Sequence, residues 1–214
     1  MQTSLHHRLI PLIVTLVMML MAMPTSAQGA TEVWLHKATE KLQNKGCEIT
    51  FRVNEEGMRF GGKLLIDGPC FAYDSEEMKI WYDGTTQWTL QMGSGYNELY
   101  ISNPTPEEQK SINPYLLLRD YETTFDVTDL GERNCNGKLT HVVGLDSREA
   151  GYEPSHVDVC LQSDGTLAAL IINTSSGPPV KIEVRSMRNG LTFTKGTFTY
   201  QAEKYPADEV IDMR

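Results

Sequence analysis

Catalysis in this chain would have to come from its histidines, cysteines or paired acids, and few of these are usefully placed. Beyond residue 30 the histidines are His36, His141 and His156. His36 lies on an expected helix with Glu32 and Glu40 four residues to either side, which describes a solvated charged face. His141 and His156 fall on neighbouring expected strands. Two imidazoles with Asp158 as the sole third candidate make a poor metal set, so no metal site is expected. "MGSGY" at 92–96 has the serine of a nucleophile elbow without its strand-to-helix context, and no phosphate-binding or dinucleotide-binding glycine loop occurs. Acid pairs such as Glu55 with Glu56 and Glu76 with Glu77 sit in turns. No catalytic residue and no cofactor is expected, and a binding protein is favoured over an enzyme. An exported hydrolase acting through His141 or His156 is the catalytic alternative.

The cysteines point to compartment more than to chemistry. Cys47, Cys70, Cys135 and Cys160 show no C-x-x-C and no zinc spacing. In an exported chain an even number favours disulfides. If "KLTHVVGL" pairs with "HVDVCLQS", Cys135 lies close to Cys160, so that pairing is expected first and Cys47 with Cys70 second. Two buried free thiols are the alternative for the second pair.

Export itself is read from the N-terminus. "MQTSLHHR" carries one cation, Leu9–Met23 is an uncharged apolar run of 15 residues, and "PTSAQ" offers small residues for cleavage after Ala27. The run is shorter than the roughly 20 residues that span a bilayer. No cysteine follows it, so no lipid anchor is expected. Residues 1–27 are therefore read as a signal peptide and 28–214 as one domain, free in the periplasm and monomeric. Of the charged side chains only Arg8 leaves with the signal, so the mature chain is more acidic than the formal −9 of the whole. An acidic surface argues against nucleic acid and anionic lipid headgroups as partners.

The elements that would position any site are mostly strands. "TEVWLHKATEKLQNK" (31–45) reads as an amphipathic helix capped by Thr31 and ended at Gly46. From Cys47 the period becomes two. Ile49, Phe51 and Val53 share a face, and a succession of about ten antiparallel strands follows, ending near "FTKGTFTY" (193–200). The stretch "ISNPTPEEQKSINPYLLL" (101–118) interrupts them. Thr105, Pro106 and Glu108 spell a capping box, Asn113 and Pro114 a second helix start, and Leu116, Leu117 and Leu118 cannot all lie on one narrow stripe. Short helices here would cover the concave side of a curled sheet. Pattern alone favours helices that simply close an ordinary core, and it does not resolve a ligand cavity from a filled core.

In order and spacing the mature chain resembles the LolA-type periplasmic carriers of outer-membrane lipoproteins. The resemblance rests on the N-terminal helix, the hairpin ending in "GGKLLIDGP", the "IWYDGTTQW" strand, turn and strand, the Pro-containing helical segment, and the closing "LTFTKGTFTYQAEKYPADEVIDMR". It implies an α+β fold in which a strongly curved, unclosed antiparallel sheet, a half-barrel, carries an N-terminal helix and short lid helices over its concave apolar face. It further implies a cavity for lipoprotein acyl chains. The partners implied are an inner-membrane ATP-driven transporter and an outer-membrane acceptor. On this reading Leu64, Ile66, Phe71, Tyr73, Ile80, Tyr82, Trp88 and Leu90 line the cavity, and Leu116, Leu117 and Leu118 form the lid. Where the family has a basic-basic-Pro run with a lid-latching arginine, this chain has Asp67, Gly68 and Pro69, with Gly68 at the arginine position. The four cysteines also differ from the typical carrier. The alternative function is an envelope sensor that binds a lipid signal on the same fold.

Overall fold

The computed structural model describes residues 26–43, 46–55, 58–105, 108–109, 118–173 and 177–214. The expected signal peptide lies outside these residues, except that Ser26 and Ala27 open the first helix. That helix, α1 (Ser26–Gln43), is followed by β1 (Gly46–Glu55), β2 (Met58–Asp67), β3 (Cys70–Ser75), β4 (Met78–Tyr82), β5 (Gln87–Met92) and β6 (Asn97–Ser102). A short α2 (Tyr121–Thr124) leads into β7 (Phe125–Cys135), β8 (Lys138–Ser147), β9 (His156–Leu161), β10 (Leu167–Asn173) and β11 (Val180–Leu191). A 3-10 turn (Lys195–Phe198) and β12 (Glu209–Asp212) complete the chain.

All twelve of these strands form one sheet, in the order β12-β6-β5-β4-β3-β2-β1-β11-β10-β9-β8-β7. It is curved and unclosed, ending in two edges, as the α+β half-barrel expectation required. β1 and β11 are long neighbours, paired from Gly46 with Leu191 to Asn54 with Lys181, and they join the two runs of hairpins. Gly46 sits where the chains approach most closely. A Cβ there would lie 2.5 Å from the Leu191 carbonyl oxygen and 2.6 Å from the Phe193 ring. The glycine is needed for that approach and begins β1; it does not end the helix in a left-handed conformation.

Other sequence expectations are revised by tertiary structure. The helix begins at Ser26, so Thr31 is not its cap. Thr31 is buried in mid-helix, and its hydroxyl donates to Asp129 Oδ2 at 3.4 Å. The expected strand "FTKGTFTY" is a 3-10 turn flanked by extended chain, and the acidic tail contributes a strand instead. β12 pairs in parallel with β6, a connection that local sequence does not announce.

Two apolar layers result. On the concave side Leu35, Ala38 and Leu42 of α1 join Ile49, Leu64, Ile66, Phe71, Ile80, Val143, Leu145, Val157, Val159 and Leu170. On the convex side Ala72, Trp81, Leu90 and Leu99 are covered by Phe198, Tyr200 and Tyr205 from the C-terminal segment. The helix crosses the β7 to β1 half of the sheet. Trp34 stacks on His141 of β8 at 4.8 Å between centroids, and Lys41 bonds Asp164 and Thr166 in the β9–β10 turn, each at 2.8 Å.

Cys135 and Cys160 meet in a small convex cluster with Val142, Ala168 and Ala169, their sulfurs 2.6 Å apart. Cys47 and Cys70 do not meet. Cys47 packs in the concave core, whereas Cys70 shares the convex face with Trp81, because residues 70 and 71 of one strand point to opposite sides. The second expected disulfide is therefore corrected to two separate thiols. Burial, then the Glu48 charge, raises the Cys47 thiol to about 11, so it stays protonated and unreactive at neutral pH. Cys135 and Cys160 are thiols here, close enough to be joined by oxidation; if they are joined, alkylation of the denatured, unreduced protein should label Cys47 and Cys70 and spare the other two. Cys160→Ser should lower stability by about 2–4 kcal/mol in urea denaturation. Labelling of all four cysteines would rule out the Cys135–Cys160 bond.

Candidate functional site

Under the lid end of the concave face lies a cavity of about 550 Å³. Its floor follows the register of the sheet. Leu64 pairs with Tyr73 and Tyr73 with Ile80, and the row continues to Thr89 of β5. Ile49, Phe51 and Val53 of β1 and Val180, Ile182 and Val184 of β11 form the opposite wall, and Leu42 of α1 and Leu118 of the lid segment close over it. Apart from Gln87 and Thr89 the described lining is aliphatic, aromatic or thioether, and none of it is charged. The size falls in the usual range of small-ligand pockets, roughly 300–1,000 Å³. Phe60, at 41% exposure, stands at its rim, and Ile182 and Val184 are only half-buried.

Of the residues expected to line the cavity, Leu64, Phe71, Tyr73 and Ile80 do so. Ile66 and Tyr82 belong to the same concave cluster without reaching the cavity wall, Ile66 at 1% exposure and Tyr82 tilted against Phe71 at 5.5 Å. Trp88 and Leu90 face the other way. Trp88 pairs with Trp81 and Leu90 with Leu99, all in the convex layer. On β5 the apolar residues serve the convex side, and Gln87 and Thr89 take the concave positions. The tight turn Asp83–Thr86 sets this phase. Asp83 Oδ1 accepts from the N–H groups of Thr85 and Thr86 at 2.9 Å, and Gly84 supplies a φ of 101°. Leu118 lines the cavity as expected, while Leu116 and Leu117 lie outside the described residues.

The capping box is formed. Thr105 N–H donates to Glu108 Oε2 at 2.7 Å, and Glu108 N–H donates to Thr105 Oγ1 at 3.3 Å. The Thr105 N–H bond, and after it the Thr105 hydroxyl donating to the same Oε2 at 3.0 Å, hold the Glu108 carboxyl below its usual pKa. The turn places the next residue, Gln109, face down and 5% exposed. Gln109 Nε2 donates to Gln87 Oε1 at 3.2 Å, and Gln87 Nε2 donates to Thr89 Oγ1 at 3.2 Å. This amide relay ties the lid segment to the sheet. Sequence reasoning missed it, although two glutamines at 87 and 91 flanking tryptophan, threonine and leucine gave the phase of β5 to a reader willing to bury the polar set. Gly68 plays no part in the lid. It is exposed in the β2–β3 turn at φ 58°, with open space around it.

The histidines separate. His141 is concave, stacked on Trp34, with Nε2 buried and 3.2 Å from Asp129 Oδ1, out of line for a hydrogen bond. His156 is convex, between Asp146 Oδ1 at 2.6 Å and Asp158 Oδ1 at 2.8 Å. Opposite faces prevent the two from sharing a ligand. Among the described residues no group of three His, Cys, Asp or Glu is placed to hold a metal ion.

The architecture is thus an unclosed, curved antiparallel sheet whose concave apolar face is covered by α1 and, among the described residues beyond it, by Leu118. The chain matches no known family by sequence and no curated protein. Among solved structures it is similar to an uncharacterized conserved protein from Thermus thermophilus. There the TM-score is 0.57 at 12% identity, over 86% of this chain and 99% of that one. It is also similar to MucB in the Pseudomonas aeruginosa MucA/MucB complex, with a TM-score of 0.44 at 13% identity over 81% and 62%. A LolA superfamily protein from Nitrosomonas europaea gives 0.42 at 11% identity over 79% and 97%. At 12% identity the likeness to the Thermus thermophilus protein is one of fold.

Two outcomes follow from the site. Ile182→Glu puts a charge on the half-buried cavity wall, so it should abolish binding of a neutral apolar dye while circular dichroism stays native; retained fluorescence enhancement would show that the dye does not use this cavity. For His156, burial opposes the charge, but the hydrogen bonds to Asp146 and Asp158 prevail and raise its pKa. A raised folded-state pKa gives stabilisation that is complete below the unfolded value of about 6.5 and is lost as pH climbs through the folded value. The stability advantage of the native protein over His156→Gln should accordingly be largest in mild acid and shrink above neutrality, as read by urea denaturation across pH. An advantage that grows with pH would contradict the Asp–His–Asp arrangement.

Proposed function

We propose that this protein is a periplasmic carrier that shelters the acyl chains of lipoproteins, or of a related acylated molecule, in transit toward the outer membrane. The observation that carries the reading is the cavity: largely apolar, uncharged along its described lining, and closed over by Leu42 of the helix and Leu118. Each methylene moved from water into such a space gains about 0.8 kcal/mol, so a chain of a dozen carbons gains on the order of 10 kcal/mol before the costs of binding. A filled core would leave no such space, and a hydrolase would need polar groups converging on a reacting atom. Along its described lining the polar side chains are Gln87, Thr89 and the phenol of Tyr73, with Gln109 beside them, and the lining holds no histidine, cysteine, serine, lysine or acid.

The work is physical. Cargo enters when the lid parts from β5 and leaves when it parts again, so the partners are whatever membrane assemblies load and unload it. The sequence resemblance supplies their kind, an ATP-driven transporter in the inner membrane and an acceptor at the outer membrane. The test is lipoprotein release from spheroplasts of the native host. The added processed protein should bring newly made lipoproteins into the soluble fraction as one-to-one complexes. Absence of release, with a lipid still bound to the purified protein in native mass spectrometry, would exclude the ferrying role and leave lipid sensing on the same cavity.

A further inference from the structure

On β1 to β4 the concave positions are apolar, as in Phe51, Leu64, Phe71 and Ile80, yet at β5 the same row ends in Gln87 and Thr89. Convex packing fixes which face of β5 is apolar but does not call for amides on the other, since a buried amide is costly unless its hydrogen bonds are met. Gln87 is 6% exposed and Gln109 5%. A primary amide has two N–H donors, and the relay from Gln109 to Gln87 to Thr89 uses one from each glutamine. The same cavity has no lysine, arginine or histidine along its described lining. A carboxylate or phosphate drawn inside would lose its water and find no cation.

We infer that Gln87, Thr89 and Gln109 form a neutral hydrogen-bonding subsite that takes the carbonyl oxygen of an ester-linked or amide-linked acyl chain and rejects the free fatty acid. This rests on the acyl-chain reading above and narrows its ligand class. The second N–H of each amide supplies the donors that a carbonyl accepts, while the hydrocarbon tail lies along the row of Tyr73, Ile80 and Leu64. Because Gln109 belongs to the lid segment and Gln87 to the sheet, a carbonyl bonded to both also holds the lid down over its own chain.

The test is displacement of N-phenyl-1-naphthylamine, a neutral dye, from the processed protein at pH 7.5 by dodecane, methyl laurate and laurate. Methyl laurate should bind about tenfold tighter than dodecane, the equivalent of roughly one good hydrogen bond, and laurate more weakly than the ester. Gln87→Met, close in volume, and Thr89→Val as a second variant should collapse the preference for ester over dodecane. Laurate binding as tightly as the ester would overturn the subsite, as would both variants leaving the ester preference intact. Failure of dye and dodecane to bind at all would instead strike the acyl-chain reading, and the subsite would fall with it.

Discussion

The concave face of this sheet is wider than the helix that packs on it. Twelve strands spaced about 4.8 Å apart extend more than 50 Å across. An 18-residue helix is about 27 Å long at 1.5 Å per residue. Helix α1 runs across the strands, from Asp129 of β7 at Thr31 to the cavity wall at Leu42, and so covers about half of them. The apolar row that continues through β1, β2, β3 and β4 lies beyond the helix, where Leu42 and, among the described residues of the segment between β6 and α2, Leu118 reach the cavity. The cavity is what remains between a broad curved floor and a narrow roof.

The convex face imposes the second constraint. A sheet with one wet face would show strict alternation throughout, but Trp81, Trp88, Leu90 and Leu99 form a second apolar layer that the C-terminal segment buries through Phe198, Tyr200 and Tyr205. Trp81 packs against both tyrosine rings, at 5.6 and 5.3 Å. With that layer claiming the apolar residues of β5, its concave positions are left polar. The neutral amides inside the cavity and the aromatic cover outside are therefore two results of one phase choice on β5. The tail then continues into β12 and supplies an edge strand to β6.

Much of this was legible in the sequence because it depends on local rules. Period-two alternation placed Leu64, Phe71, Tyr73 and Ile80 on one face, the Asp83–Gly84 turn fixed a hairpin, and Thr105 with Glu108 announced a helix start that the backbone realises. The nearness of Cys135 to Cys160 followed from one antiparallel pairing. The misreadings share a cause: they assume that apolar residues seek a single interior. Trp88 and Leu90 went to the second layer, Cys70 faces away from Cys47, and "FTKGTFTY" looked like a strand because its aromatics alternate, though they alternate to cap the convex face. The parallel pairing of β12 joins segments more than a hundred residues apart, as in Glu209 with Glu98, and leaves no local signal.

The lid is where departure from the resembling carriers has energetic content. The position expected to hold a latching arginine is Gly68, exposed at a turn tip with nothing near it, so no cation from there can reach the lid. Among the described residues the tie is an amide hydrogen bond, Gln109 to Gln87, backed by Thr89. A neutral hydrogen bond contributes about 1 kcal/mol net, against roughly 1.5–3 kcal/mol for one to a charged group. A latch of that strength changes the ratio of closed to open lid by about fivefold, whereas a charged one could reach a hundredfold. Burying an acyl chain is worth far more than either, so in such a carrier the closed state is set chiefly by whether the cavity is full. On the proposed function, a weak neutral latch lets the empty protein open readily to receive cargo, and it avoids placing a charge beside an acyl chain.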